Sequence, residues 1–245
     1  MKILQLLHDN AGRTKLPCNL VRNGADEATI YIYDIIAADW GVSAMDVIGA
    51  LNSVADVSVV HLRINSPGGD VFEGRAIVEA IKRFSGKTIG HVDSLAASSA
   101  SSIAIACDEV EIAQGAFFMI HNASGIVYGD KTVMRDRADL LEKVEGSIIN
   151  DYTAKTGKDA ADVAAWMEAE TWFTADEAVA NGFVDRLTAT AELKAKNTWN
   201  LSAYSKAPAA LAAPAPEPKP TLEPTPEPTG TAQAKTNALR LALIA

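Results

Sequence analysis

Residues 57–84 read VSVVHLRINSPGGDVFEGRAIVEAIKRF, and the fold is decided in this stretch. The first eight residues are β-branched and apolar at alternate positions, the pattern of a strand. Asn65-Ser66-Pro67-Gly68-Gly69 then breaks the run with turn residues. From residue 71 the period changes. Val71, Ile77, Val78, Ile81 and Phe84 fall largely on one helical face, so 71–84 reads as a helix. A second strand, 87–92, follows. A strand, a helix and a strand in close succession require a crossover, which makes the two strands parallel.

The pattern repeats outward. Residues 28–33 (ATIYIY) read as a strand. Residues 43–54 open with Ser43-x-x-Asp46 and read as a capped helix. The small-residue run 96–106 reads as a tightly packed helix, 110–112 and 116–120 as short strands, and 130–156 as a long amphipathic helix. Thr174-x-x-Glu177 caps a short helix that stops at Asn181-Gly182, before a last strand at 183–187. The expected class is α/β, built of repeated crossover units with both sheet faces covered. Ligands of such sheets bind at the carboxyl ends of the strands.

The 245-residue chain is 48% hydrophobic and 22% charged, enough for a packed core, and carries a net charge of -9. That charge argues against non-specific binding to nucleic acid or to an anionic membrane surface. The two cysteines, Cys18 and Cys107, form no disulfide framework and no metal-ligand pattern, so they read as unpaired thiols in a reducing compartment. No apolar run is long enough to span a bilayer, and the first residues do not form a signal peptide. A cytoplasmic protein is expected, with no metal and no organic cofactor.

Composition divides the chain near residue 190. Residues 1–24 form an N-terminal segment and 25–190 a folded domain. Residues 191–230 read as an Ala/Pro-rich, disordered linker; PAPEPKPTLEPTPEPT, at 214–229, holds seven of the ten prolines. Residues 231–245 read as a short helix.

Three turns at strand ends carry the candidate chemistry. Gly68 and Gly69 can bring backbone N–H groups close to a ligand. In DSLAASS (93–99) a serine sits between strand and helix among alanines. His121 ends the apolar strand FFMIH, where an imidazole can act as a general base. Each has a plain structural explanation taken alone. Together they supply an oxyanion cradle, a nucleophile and a base, the minimum set for covalent acyl transfer.

These motifs also carry a family resemblance. IYIYDII, RINSPGGDVFEG, DSLAASSASSIA, MIHN and ETWFTADEAVANGFVD resemble, in order, the proteolytic subunit of Clp protease (ClpP). They resemble still more closely the ClpP-related head maturation proteases of tailed phages. The likeness covers about residues 25–190. It implies a ClpP/crotonase-like fold of β-β-α units with 130–156 as its long handle helix. It implies Ser98 of Ala96-Ala97-Ser98 as nucleophile and His121 of Met119-Ile120-His121 as base. The amides of Gly69 (or Gly68) and of Ser99 become the oxyanion hole.

One departure matters. Aligned on Phe173, the position of the family's triad Asp is Thr171 here. Three accounts stay open. Glu170 supplies the third group from a shifted loop, Thr171 or a backbone carbonyl orients His121, or the site is a dyad.

The resemblance further implies a homo-oligomeric ring, stacked through the handle, that admits peptide or unfolded protein substrates. An ATPase unfoldase would feed it in the ClpP manner; scaffold and capsid proteins would be cut inside a prohead in the phage manner. Two alternatives stand beside the peptidase: a weakly active or inactive ClpP-like assembly protein, and a crotonase-like acyl-CoA enzyme.

Overall fold

The strand read at 57–64 appears two residues later as β3 (Val59–Ser66), which takes in Asn65 and Ser66 of the expected turn; its even-numbered residues are buried and its odd-numbered residues half-buried. Our structure is a computed structural model that describes residues 2–13, 16, 18–188 and 199–211. Strand β3 lies parallel between β2 (Glu27–Ile32) and β4 (Lys87–Ala97). Strand β1 (Asn19–Arg22) is antiparallel on the outer edge of β2. Helices α2 (Ala44–Ser53), α3 (Val71–Lys82) and α4 (Ser99–Ile105) are the crossovers. They bury Val47, Leu51, Ile77, Val78, Ile81 and Ile103 in one core with β2–β4.

On the edge away from β3, strand β4 serves two partners. Its first half pairs with β5 (Glu109–Ile112), and its last residues, Leu95–Ala97, pair with β6 (Phe117–Ile120). The remaining strands are β7 (Thr171–Thr174), antiparallel on β6, and β8 (Arg186–Leu187), beside β5. Helix α5 (Lys131–Thr156) is about 39 Å long at 1.5 Å per residue, and residues 131–140 are exposed. Tyr152 anchors its other end through hydrogen bonds to Ser101 and Ser102. Helices α6 (Ala160–Glu168) and α7 (Ala175–Ala180) flank β7.

The capping boxes at Ser43/Asp46 and Thr174/Glu177 form as their spacing predicts. Three further expectations need correction. The helix expected from residue 96 starts at Ser99, because Ala96 and Ala97 still pair with Phe118 and Met119; cross-strand partners override the poor strand propensity of alanine. The strand expected over 183–187 is confined to Arg186–Leu187. The Phe183 and Val184 amides both donate to the Ala178 carbonyl, which holds them to the end of α7. The N-terminal segment contains α1 (Lys2–Asp9), whose Leu6 is buried.

The largest correction concerns the linker. Residues 199–211 pack onto the domain instead of leaving it. Trp199, Leu201, Tyr204 and Leu211 form a second core with Leu6, Ile35, Leu95 and Met119. Asn10 clips this strap by exchanging hydrogen bonds with the Asn200 backbone, and the Arg13 guanidinium lies over the Trp199 ring. The other linker positions and the helix expected at 231–245 lie outside the described residues. Among the described residues, no helix is long and apolar enough to cross a membrane.

Candidate active site

Strand β4 ends at Ala97, and the chain turns sharply into α4 at Ser98. Its backbone there has φ 55° and ψ −126°, a region L-residues seldom occupy, at a cost of roughly 1–3 kcal/mol. The surroundings hold this strained elbow. The Ser98 N–H donates to the Met119 carbonyl of β6 at 2.9 Å. The Ser98 carbonyl accepts from the Ser101 N–H and from the Ser101 hydroxyl, which also meets Tyr152. The elbow thus presents the Ser98 hydroxyl at the strand ends, as a nucleophile requires.

His121 follows directly after β6. Because β6 and the end of β4 are paired neighbours, His121 and Ser98 emerge side by side. The His121 Nε2 lies 2.8 Å from Ser98 Oγ, the hydrogen bond of a nucleophile to its base.

The third turn lies on the opposite side of the elbow. Gly68 and Gly69 have φ of 87° and 154°. A Cβ on Gly68 would run into the Ala97 carbonyl and come within 2.7 Å of the Ser98 Cβ, so the close approach needs glycine. The Gly68 N–H is taken by Ser66 Oγ at 3.1 Å. The Gly68 carbonyl accepts from Ile36 N–H at 2.9 Å. In a trans peptide this turns the Gly69 N–H the other way, towards the cleft that Gly69 lines with Ser98 and His121. Ser99 is the first residue of α4, where an amide has no intrahelical acceptor. Of the two glycines named as oxyanion candidates, Gly69 therefore has the available donor, with Ser99 as the second.

The acid question turns on β6 and β7. Their register ends with Ile120 opposite Thr171, so His121 and Glu170 are the next residues on the two chains. The Met167 carbonyl accepts from both the Asn122 and the Glu170 amides, which draws the two segments together. Glu170 is buried, has φ 50°, and accepts from Ser205 Oγ at 2.9 Å and Lys206 N at 2.7 Å. Thr171 donates its hydroxyl to the Trp166 carbonyl at 2.7 Å.

Tyr204, which lies in the region read as linker, was missed by sequence reasoning. Its ring meets the His121 ring edge-on at 5.4 Å, and its hydroxyl donates to the Pro67 carbonyl. The only signal was an aromatic pair, Trp199 and Tyr204, in an Ala-rich stretch. Neither thiol competes as a nucleophile. Burial pushes Cys18 up to about 11 and Cys107 up to about 12, which keeps both protonated. Among the described residues, no group of three or more His, Cys, Asp or Glu is arranged to hold a metal ion.

The cleft beside Ser98 has a volume of about 260 Å³. Its far wall is apolar and comes largely from α5: Leu140, Leu141, Val144 and Ile148, with Ile126 from the preceding loop and Phe72 from α3.

A hydroxyl bonded to an imidazole, beside two amides on an α/β crossover frame, is the arrangement that covalent acyl transfer requires. The sequence model of the Clp protease family matches residues 17–191, and the chain belongs to that family. Proteolytic subunit 1 of the ATP-dependent Clp protease from Protochlamydia amoebophila is 32% identical over 128 residues, covering 51% of this chain and 62% of the relative. Subunit 3 from Rhodococcus jostii is 30% identical over 131 residues, covering 52% of this chain and 64% of the relative. The chain thus matches somewhat less than two thirds of the length of either. A solved structure of a ClpP1 point mutant from Listeria monocytogenes aligns with a TM-score of 0.60 at 22% identity, covering 66% of this chain and 92% of that chain. This last likeness supports the fold alone.

Proposed function

We propose that the chain is a serine peptidase that cleaves peptide bonds through an acyl-enzyme on Ser98. The observation that carries the reading is the 2.8 Å contact between Ser98 Oγ and His121 Nε2 at a strained elbow facing two amides. His121 takes the hydroxyl proton as Ser98 Oγ attacks the substrate carbonyl. The negative charge that develops on the carbonyl oxygen is met by the Gly69 and Ser99 N–H groups. The tetrahedral adduct collapses, His121 protonates the departing amine, and the acyl group stays on Ser98. Water, deprotonated by His121, then releases the acid and restores the serine. Glu170 holds His121 in the tautomer that leaves Nε2 free to accept. Its placement one step past the last β6–β7 pair supports that role over Thr171, whose hydroxyl is committed to Trp166.

The bonded serine and imidazole weigh against a crotonase-like thioesterase or isomerase chemistry, which would use the oxyanion amides without this pair. They also weigh against an inactive assembly protein, since the strain at Ser98 costs stability and gives a scaffold nothing in return.

The assembly we propose is a ring of identical chains, stacked through α5. Exposed Val133, Met134 and Leu140 on the outer half of α5 and fully exposed Tyr128 before it support self-association there. A ring would restrict substrates to unfolded or threaded chains. The identity of the relatives, proteolytic subunits of an ATP-dependent protease, supports an ATPase partner as one supplier of such chains. The sequence likeness to phage head maturation proteases supports scaffold and capsid proteins, cut within a prohead in the host cytoplasm, as the substrates of this chain.

The test is hydrolysis of an unfolded protein such as casein, and of short peptide esters, by the assembled chain. The wild type should cleave both, and Ser98→Ala and His121→Ala neither. Turnover of acyl-CoA thioesters without peptide-bond cleavage would overturn the reading.

A further inference from the structure

We infer that Tyr204 is a positioning residue of the active site, supplied by a strap that lies beyond the part of the chain matched by the family. The inference rests on the serine-peptidase reading and deepens it.

Three consecutive residues of the strap touch the candidate machinery. The Tyr204 hydroxyl donates to the Pro67 carbonyl of the oxyanion turn. Its ring stands edge-on to His121 at 5.4 Å and to Trp172 at 5.7 Å. The Ser205 hydroxyl and the Lys206 N–H each donate to one carboxylate oxygen of Glu170, and the Lys206 ammonium donates to the Ala169 carbonyl. Turn, base and acid are thus all held from one short segment whose own anchor is the buried Trp199.

The turn needs such a hold. Two successive glycines with positive φ form a soft backbone, and the orientation of the Gly69 N–H depends on the peptide planes around it. One plane is fixed where Ile36 N–H bonds the Gly68 carbonyl. The preceding plane, Pro67–Gly68, is held on both sides: Ser66 Oγ accepts from the Gly68 N–H, and the Tyr204 hydroxyl donates to the Pro67 carbonyl. Without that hydroxyl, a buried carbonyl loses its partner and the plane is held from one side alone. Burial, against the lowering pull of the hydrogen bond with the Ser98 side chain and with the help of the nearby Glu170 charge, pushes the Tyr204 phenol well up, so it keeps its proton and remains a donor throughout the working pH range. The ring limits the space into which His121 can swing away from Ser98.

The chemistry separates this role from simple packing. Tyr204→Phe keeps the ring, the fill of the second core and the contact with His121, and deletes the hydroxyl, with its bond to Pro67 and its hydrogen bond with the Ser98 side chain. A packing residue would be nearly indifferent to that change. A residue that aims an oxyanion donor would lower turnover without lowering ground-state binding.

The experiment compares wild type, Tyr204→Phe and Tyr204→Ala on a peptide ester. Rates are expressed per active site titrated with a fluorophosphonate, so that misfolded chains do not count. We expect Tyr204→Phe to lower kcat about 10- to 100-fold, as a misplaced catalytic group does, with KM and the melting temperature little changed. Tyr204→Ala should lose more and also loosen the strap. A Tyr204→Phe enzyme with wild-type kcat per titrated site overturns the inference and leaves the peptidase reading intact. A wild type that neither binds the probe nor turns over overturns both.

Discussion

His121 and Glu170 are the first residues past the end of the β6–β7 pairing, on opposite chains, and their neighbouring amides share the Met167 carbonyl. The family pattern puts an acid one residue later, at the position of Thr171. A left-handed residue at 170, with φ 50°, ends the strand and places a buried carboxylate where the pairing places the histidine's neighbour. In the proposed reading the acid has moved by one residue; Ser205 and Lys206 of the strap donate to its carboxylate.

Neutralising this carboxylate tests the relationship. Glu170→Gln keeps the shape and should lower kcat by about 10²–10⁴-fold through loss of the productive His121 tautomer. Thr171→Val should change it by less than about 3-fold, since its hydroxyl serves the Trp166 carbonyl. Steady-state kinetics on a peptide ester measures both. Unchanged turnover in Glu170→Gln would remove Glu170 from the site.

The turn gives a second prediction. In Gly68→Ala the new methyl meets the Ala97 carbonyl and the Ser98 Cβ at a backbone angle unsuited to alanine. The elbow must shift, so fluorophosphonate labelling of Ser98 should slow by about 10²-fold or more. A stopped assay with gel readout is sufficient. Labelling at the wild-type rate would show that the turn does not govern the elbow.

The cleft predicts substrate preference. Leu140, Leu141, Val144 and Ile148 offer an apolar wall beside Ser98. Peptides with Leu or Met on the acyl side of the scissile bond should exceed those with Lys in kcat/KM by about 10-fold or more, because an ammonium would leave water for apolar side chains and for Arg75 and Arg137, which also line the cleft. A fluorogenic peptide panel measures the ratio, and a preference for Lys would contradict it.

Much of this was legible from local pattern. The strand read at 57–64 and found at 59–66, the amphipathic α3 read at 71–84 and found at 71–82, and both capping boxes depend on near neighbours in sequence, and they form within two residues of where the spacing put them. Ser98 and His121 were legible because motifs marked them. What was not legible depends on distant partners. Ala96 and Ala97 are strand residues only because Phe118 and Met119 pair with them. The strap shows no period, since Trp199, Leu201 and Tyr204 each bury against residues far away in the chain. The short strand β7 arises from the same long-range pairing, which also sets Glu170, a candidate in the sequence, beside the end of β6.

Stability should depend on a histidine pair outside the site. His61 Nδ1 and His91 Nε2 lie 2.9 Å apart on the half-buried polar face of the sheet. Burial holds the His91 imidazole below its ordinary value of 6.5, against the pull of Glu111 and Asp93 and with the help of His61 and Arg63. The folded chain therefore binds this proton less readily than the unfolded one. The stabilisation is complete above the unfolded value and is lost as pH falls through the lower folded value. Denaturant midpoints measured from about pH 7.5 down to 5 should fall, and His91→Gln should flatten that slope. A midpoint that rises over this range would reverse the sign and contradict the assignment.

The central claim is that Ser98 is made nucleophilic by His121, and covalent capture tests it most directly. A fluorophosphonate should add one phosphonyl group per chain, found by mass spectrometry on the peptide that contains Ser98. Labelling should vanish in Ser98→Ala and slow greatly in His121→Ala. Adduct on any other residue, or equal labelling with and without His121, would contradict the account.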